Sequence, residues 1–185
     1  NLSEYSRPRK GGIIAVKLEE GDNLVGVVLT AGNDQIVLAS KEGSAVRFSE
    51  RDVRASGRAS VGVRGIRLRE SDEVVGMVIA DDTKQLLTIT ENGYGKRTEV
   101  SEYRLISRGG SGVINIQCSE RNGNVVSINS VTDEDEIVVV SKNGVIIRML
   151  VRDISLIGRN TQGVRIMKLE EGDKVVAAAK IVREE

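Results

Sequence analysis

The chain has 185 residues, with 27 Lys+Arg balanced by 27 Asp+Glu, one Cys and no His. The lack of His removes the commonest general base and the commonest metal ligand together, and one Cys excludes both an internal disulfide framework and a cysteine metal cluster. No apolar run reaches the roughly 18–20 residues of a membrane span and no secretory leader opens the chain, so the expectation is a soluble, cytoplasmic piece of something larger, long enough to bury a core unaided.

In chain order, Leu2–Tyr5 comes first, and it matches Val100–Tyr103 as the tail of a preceding unit. From Gly12 a repeat begins. Strand one is expected from Gly12 to Leu18, a polar turn over Glu19–Asn23, and strand two over Val25–Leu29. Strand three covers Ile36–Ser40 and ends at the turn Lys41-Glu42-Gly43. Strand four carries Val46–Phe48, and a loop of about ten residues leads to the next repeat Gly. The runs are short, rich in Val and Ile, and bounded by Gly, Asp or Asn, which suits strands; no stretch sustains a helical period.

The same order recurs from Gly62, Gly112 and Gly163. The four segments Gly12–Leu29, Gly62–Ile79, Gly112–Asn129 and Gly163–Lys180 align without gaps, and so do Gln35–Val53, Gln85–Tyr103 and Glu136–Ile154. Three complete units and flanking partial ones therefore form a single repeat-built domain over residues 1–185. Strands three and four meet at Glu91-Asn92-Gly93 or Lys142-Asn143-Gly144, where Asn-Gly predicts a hairpin in which both residues tolerate positive φ. Four strands per ~50 residues is the period of propeller blades. In this register Cys118 shares a core position with Leu18, Leu68 and Leu169, Tyr103 is core, and Tyr94 is expected at a surface or edge.

Charge is segregated in phase with the repeat. The segments holding strand four, the long loop and strand one (residues 1–17, 44–68, 95–112 and 145–168) together carry +13, and the remainder carries −13. Acid collects at tips such as Glu19-Glu20-Gly21-Asp22 and Glu170-Glu171-Gly172-Asp173. A repeated basic stripe is the electrostatic footprint of a phosphate-backbone binder. Its candidates are Arg47, Arg97 and Arg148 on strand four, Arg58, Arg108 and Arg159 four residues before the next repeat Gly, and the neighbouring Lys96, Arg54, Arg104 and Arg152. The competing structural reading pairs the recurrent arginines with Asp52, Glu102 and Asp153 between blades. With 2% aromatic residues, base stacking on single strands is not expected, and duplex backbone contact is.

No catalytic constellation emerges. Arg108-Gly109-Gly110-Ser111-Gly112 opens a strand, whereas a phosphate-binding Walker loop opens a helix. The carboxylates stand at open tips without an apolar pocket to raise one pKa, and none shows the calcium-loop spacing. No cofactor is expected.

The stretches Thr90–Thr98, Arg108–Asn115 and Gly158–Arg165, with Val46–Glu50 and Gly62–Leu68, resemble the C-terminal domain of the DNA gyrase A protein over essentially the whole chain. The C-terminal domain of topoisomerase IV, whose repeats are more degenerate, is the alternative relative, and a protein-interaction propeller using the acidic tips is the alternative function. The resemblance implies a β-pinwheel whose blades exchange strands and whose basic rim bends and wraps duplex DNA without reading sequence. It also implies a parent type IIA topoisomerase that hydrolyses ATP and introduces negative supercoils. Its partners there are the remainder of the gyrase A protein and the gyrase B protein. The family's breakage tyrosine lies on another domain, so Tyr5, Tyr94 and Tyr103 do not inherit it. The family's Gln-Arg-Arg-Gly-Gly box does not occur among the 185 residues, which separates supercoiling from DNA binding for this chain.

Overall fold

The computed structural model describes residues 2–8 and 10–181. Its strands, in chain order, are β1 (Gln35–Ser40), β2 (Ser44–Ser49), β3 (Val74–Ile79), β4 (Gln85–Thr90), β5 (Tyr94–Glu99), β6 (Val113–Ile114), β7 (Val125–Val131), β8 (Glu136–Ser141), β9 (Ile146–Leu150), β10 (Val164–Arg165) and β11 (Val175–Lys180). They form two four-stranded sheets, β3-β1-β2-β6 and β10-β5-β4-β7, and one three-stranded sheet, β11-β8-β9. The fold is all-β, with short 3-10 turns after strand four at Glu50–Asp52, Val100–Glu102 and Val151–Asp153, and a further one at Leu2–Tyr5, the repeat position that its sequence match requires.

Each sheet mixes units. Strands three and four of one unit (β1 and β2) pair antiparallel, strand two of the next unit (β3) adds to strand three, and strand one of the unit after that (β6) adds to strand four. The second sheet repeats this one unit later, with β4 and β5 flanked by β7 and β10. The third has β8, β9 and β11.

This rule explains where expected strands are missing. Gly12–Leu18, Val25–Leu29 and Gly62–Leu68 contain no strand; the rule pairs them with strands three and four of earlier units, and among the described residues no strand lies before Gln35. Many of their apolar side chains stay in water, with Ile14 68% exposed, Val27 80% and Leu29 74%, whereas Ile66 is buried with Ile36, Val46 and Phe48, and Val28 packs against them.

No unit owns its core. One buried cluster joins Val37 and Ala39 of the first unit, Leu86, Val100 and Tyr103 of the second, and Ile116, Val125 and Ile128 of the third, with Cys118 packed against it. A second cluster steps one unit along, from Leu87 and Ile89 through Val139, Val151 and Ile154 to Met167 and Val175. Each such side chain contributes about 1.5–3 kcal/mol on burial, and that burial requires three consecutive units.

The β1–β2 and β4–β5 hairpins turn on three residues. Gly43 N–H donates to Ser40 O and Gly93 N–H to Thr90 O, each at 3.1 Å, and only the glycines have positive φ, at 88° and 78°. This is a type I turn closed by a left-handed glycine. The expectation that Asn92 also needs positive φ is corrected: the extra loop residue lets it stay on the right-handed side. Among the described residues no helix is long and apolar enough to cross a membrane.

Candidate nucleic-acid interface

The three strand-four arginines share a register and differ in fate. Arg47 is 7% exposed. Its Nε donates to Gln35 Oε1 at 2.7 Å, its two terminal nitrogens form a fork on Asp82 at 2.7 and 3.0 Å, and Nη1 also reaches the carbonyls of Val100 and Tyr103. Arg97, 6% exposed, repeats this one unit on: it donates to Gln85, to Asp133 and to the carbonyls of Arg152 and Ile154. Among the described residues Arg148 keeps only the cross-strand partner, Glu136, and its side chain is 61% exposed.

Arg47 and Arg97 therefore clamp one unit to the next from inside and are removed from the surface. The acids that pair with these two arginines across units are Asp82 and Asp133, just before strand three, and not Asp52, Glu102 or Asp153; Glu102 instead accepts the Arg159 backbone N–H. The recurrent Asp at that point in the second and third units was the available sequence signal. The Arg47 fork holds the Asp82 carboxyl below its usual range.

Lys96 is also internal. It has no exposed surface, and its Nζ donates to the carbonyls of Gly158 and Arg159 at 2.8 and 2.6 Å. Burial pulls its pKa down to about 8, against the pull of Glu102 in the other direction. Val46 and Ile147 hold the equivalent positions in the first and third units.

The second arginine row is half-buried and ties the long loop of each unit to strand one of the same unit. Arg58 donates to Ile14 O, Arg108 to Arg64 O and Arg159 to Ile114 O, at 2.9, 3.0 and 2.9 Å. Backbone bonds repeat the stitch: Lys17 N–H to Ser60 O, Arg67 N–H to Gly110 O and Gln117 N–H to Thr161 O. The loop then runs along strand four of the preceding unit, with Ile106 N–H on Arg47 O and Ile157 N–H on Arg97 O. Arg108 Nε reaches Asp52 O, so the loops of the first and second units also touch.

Loop and strand-one segments that are basic in sequence thus lie side by side within each unit, and the Arg108 contact joins the first two loops. Arg54, Arg64, Arg67, Arg104 and Arg152 stand exposed in these segments, while Arg51 turns to Gly32 O and Asn33 Oδ1. Among the described residues none hydrogen-bonds or ion-pairs the side chains of Arg54, Arg104 or Arg152.

The acidic tips are partly consumed by the fold. Asp72 Oδ1 accepts the backbone N–H groups of Glu42 and Glu73, and Asp173 Oδ1 those of Asn143 and Lys174. Each tip thereby caps the strand three–four turn of the unit before it. The assignment of Tyr94 to a surface or edge is corrected: β5 lies between β4 and β10, and the residue is 4% exposed, with Arg121 and Arg165 over its ring, 5.1 and 5.4 Å from the centroid.

The profile of the DNA gyrase C-terminal domain family, described as a beta-propeller, matches residues 1–31, 34–81, 84–132 and 135–181. The chain is 55% identical over 180 residues to the DNA gyrase A protein of Halalkalibacterium halodurans, covering 97% of this chain and 22% of that protein. It is 49% identical over 178 residues to that of Klebsiella oxytoca, covering 96% and 20%. The chain thus spans about a fifth of the length of these relatives. Among solved structures, a DNA gyrase A C-terminal domain superposes with a TM-score of 0.85 at 32% identity over 94% of this chain and 59% of that one. A C-terminal domain of DNA topoisomerase IV gives 0.91 at 24% identity over 97% and 57%, a likeness of fold alone.

Proposed function

The chain belongs to the DNA gyrase C-terminal domain family, and from that premise we propose that it binds double-stranded DNA along the stitched basic segments, without reading sequence, and bends it. The observation that carries the reading is the recurrent bond between the long loop and strand one, which joins the basic segments in each unit of a chain with zero net charge. Arginines without a recognition helix or a stacking row suit phosphate oxygens of a duplex. Bending 20–30 base pairs by 40–90° costs of order 1–6 kcal/mol, and phosphate contacts repeated unit after unit offset that cost. In this reading the chain works in the cytoplasm within a gyrase A protein, alongside the gyrase B protein, in a type IIA topoisomerase that uses ATP to supercoil DNA. The wrapping module supplies no reacting group; it presents the duplex.

Of the ten arginine and lysine candidates, those exposed and without a side-chain partner among the described residues are Arg54, Arg104 and Arg152, supported by the exposed but ion-paired Arg148 and the half-buried Arg58, Arg108 and Arg159. Replacing Arg54, Arg104 and Arg152 together by Gln is expected to weaken duplex binding and to reduce the log–log salt slope by up to about three units. An unchanged slope, a salt-insensitive complex or a preference for single strands overturns the reading.

A further inference from the structure

Three residues from three different units converge on one spot. Tyr94 opens β5 in the second unit, Arg121 stands at the strand one–two tip of the third, and Arg165 closes β10 in the fourth. Two of them break the repeat. Tyr94 stands where the other units have Ser44 and Val145, and Arg121 where they have Gly21, Ser71 and Gly172; Arg165 has a counterpart in Arg64. The spot therefore has no equivalent elsewhere in the array, although the fold builds the same frame one unit earlier.

Arg165 faces Tyr94 across the β10–β5 ladder. Its Nη2 donates to the Tyr94 hydroxyl at 2.9 Å, and Arg121 Nε donates to the same oxygen at 3.3 Å. Both guanidinium groups lie over the ring, and both arginines are exposed. Neither forms an ion pair with a carboxylate among the described residues, and the phenolic proton has no acceptor among them. The two arginines hold the Tyr94 hydroxyl below its ordinary pKa. The packing thus brings two like charges to one oxygen and leaves their remaining N–H groups, and the phenol O–H, with nothing negative to donate to. Such a cluster is complementary to a tetrahedral oxyanion, whose oxygens accept from planar guanidinium forks.

We propose that Arg121, Arg165 and the Tyr94 hydroxyl form a phosphoryl-oxygen site. As a contact of the bound duplex it rests on the DNA-binding reading above and adds one phosphate held from the acidic-tip side of the chain; as a site for a free phosphate group it does not.

The test uses two probes, inorganic phosphate alone and a duplex of mixed sequence titrated with salt, on the unaltered chain and on the Arg121→Gln/Arg165→Gln double variant. Inorganic phosphate is expected to shift the Arg121 and Arg165 side-chain NMR resonances. The double variant is expected to lose phosphate binding, and its duplex salt slope to fall by about one unit, the value for one phosphate. Arg121→Lys/Arg165→Lys keeps the charge but not the forks, so weakened phosphate binding in this variant at unchanged melting temperature separates the site from a folding effect. Loss of phosphate binding with an unmoved duplex slope supports the site and assigns it to free phosphate groups. If the unaltered chain binds phosphate and no duplex, the site stands and the DNA-binding reading falls. Absence of a phosphate response in the unaltered chain, together with an unmoved slope in the double variant, overturns the proposal.

Discussion

Arg47, Arg97 and Arg148 occupy one sequence position and do different work, because an arginine is defined by the acceptors that reach it. Two are buried with several oxygen partners each, and truncating them leaves the carbonyl of Tyr103, or those of Ile154 and Arg152, without its arginine donor. Arg47→Ala and Arg97→Ala are each expected to cost about 2–4 kcal/mol in urea denaturation while leaving the DNA salt slope unmoved. Arg148→Ala, exposed, is expected to cost less than about 1 kcal/mol. Lys96 gives a prediction in pH. Its pKa is depressed to about 8 when folded, so between there and its unfolded value near 10.4 the unfolded chain binds the proton and the folded chain does not. The handicap is complete below that window and fades as pH rises through it. The stability of the unaltered chain relative to Lys96→Met is therefore expected to increase from pH 8 to pH 10, read from melts of the pair at each pH.

Strands here are stabilised by whichever unit lies alongside, and the glycine turns show it. Gly93 and Gly144 both have positive φ, at 78° and 86°, yet a Cβ at Gly93 would sit 2.4 Å from Met167 O, whereas one at Gly144 would meet nothing within 4 Å. The difference is the strand-one segment that leads from β10 and packs on the β4–β5 turn; among the described residues β9 has no such neighbour. Gly144→Ala is expected to cost only the left-handed backbone term, about 1–2 kcal/mol. Gly93→Ala must also displace the β10 segment and is expected to cost measurably more, with amide exchange accelerated at Val164–Arg165. Equal costs for the two variants would count against the exchanged pairing.

Across the array, strand exchange couples all units through shared sheets and shared cores. A stack of self-contained repeats unfolds piecemeal when its interfaces are weak; here the second, third and fourth units each place strands in two or more sheets, and the first holds the two central strands of one. Thermal unfolding of β1 to β11 is therefore expected in a single transition. Hydrogen exchange is expected to show slow amides across β1, β4 and β8, and fast ones over Gly12–Leu29, where no ladder forms. Protection of Gly12–Leu29 equal to that of β4 would contradict the pairing rule.

The period, the strand type, the turn glycines and the alternation of charge were all legible in the residues, because they depend on local chemistry repeated every ~50 positions. Strands three and four fell within a residue or two of their expected places, and Tyr103 was correctly read as core. The remainder depended on packing. Strand one and strand two form only where another unit supplies a ladder, so similar sequences gave β6 and β10 in two units and none at Gly12 or Gly62. Whether a recurrent arginine faces solvent or an interior carbonyl depended on a loop about 50 residues away in sequence, and Tyr94 was buried beside β10, with two arginines from units further along over its ring. Composition and spacing carry no record of such distant partners, because burial is a property of neighbours in space.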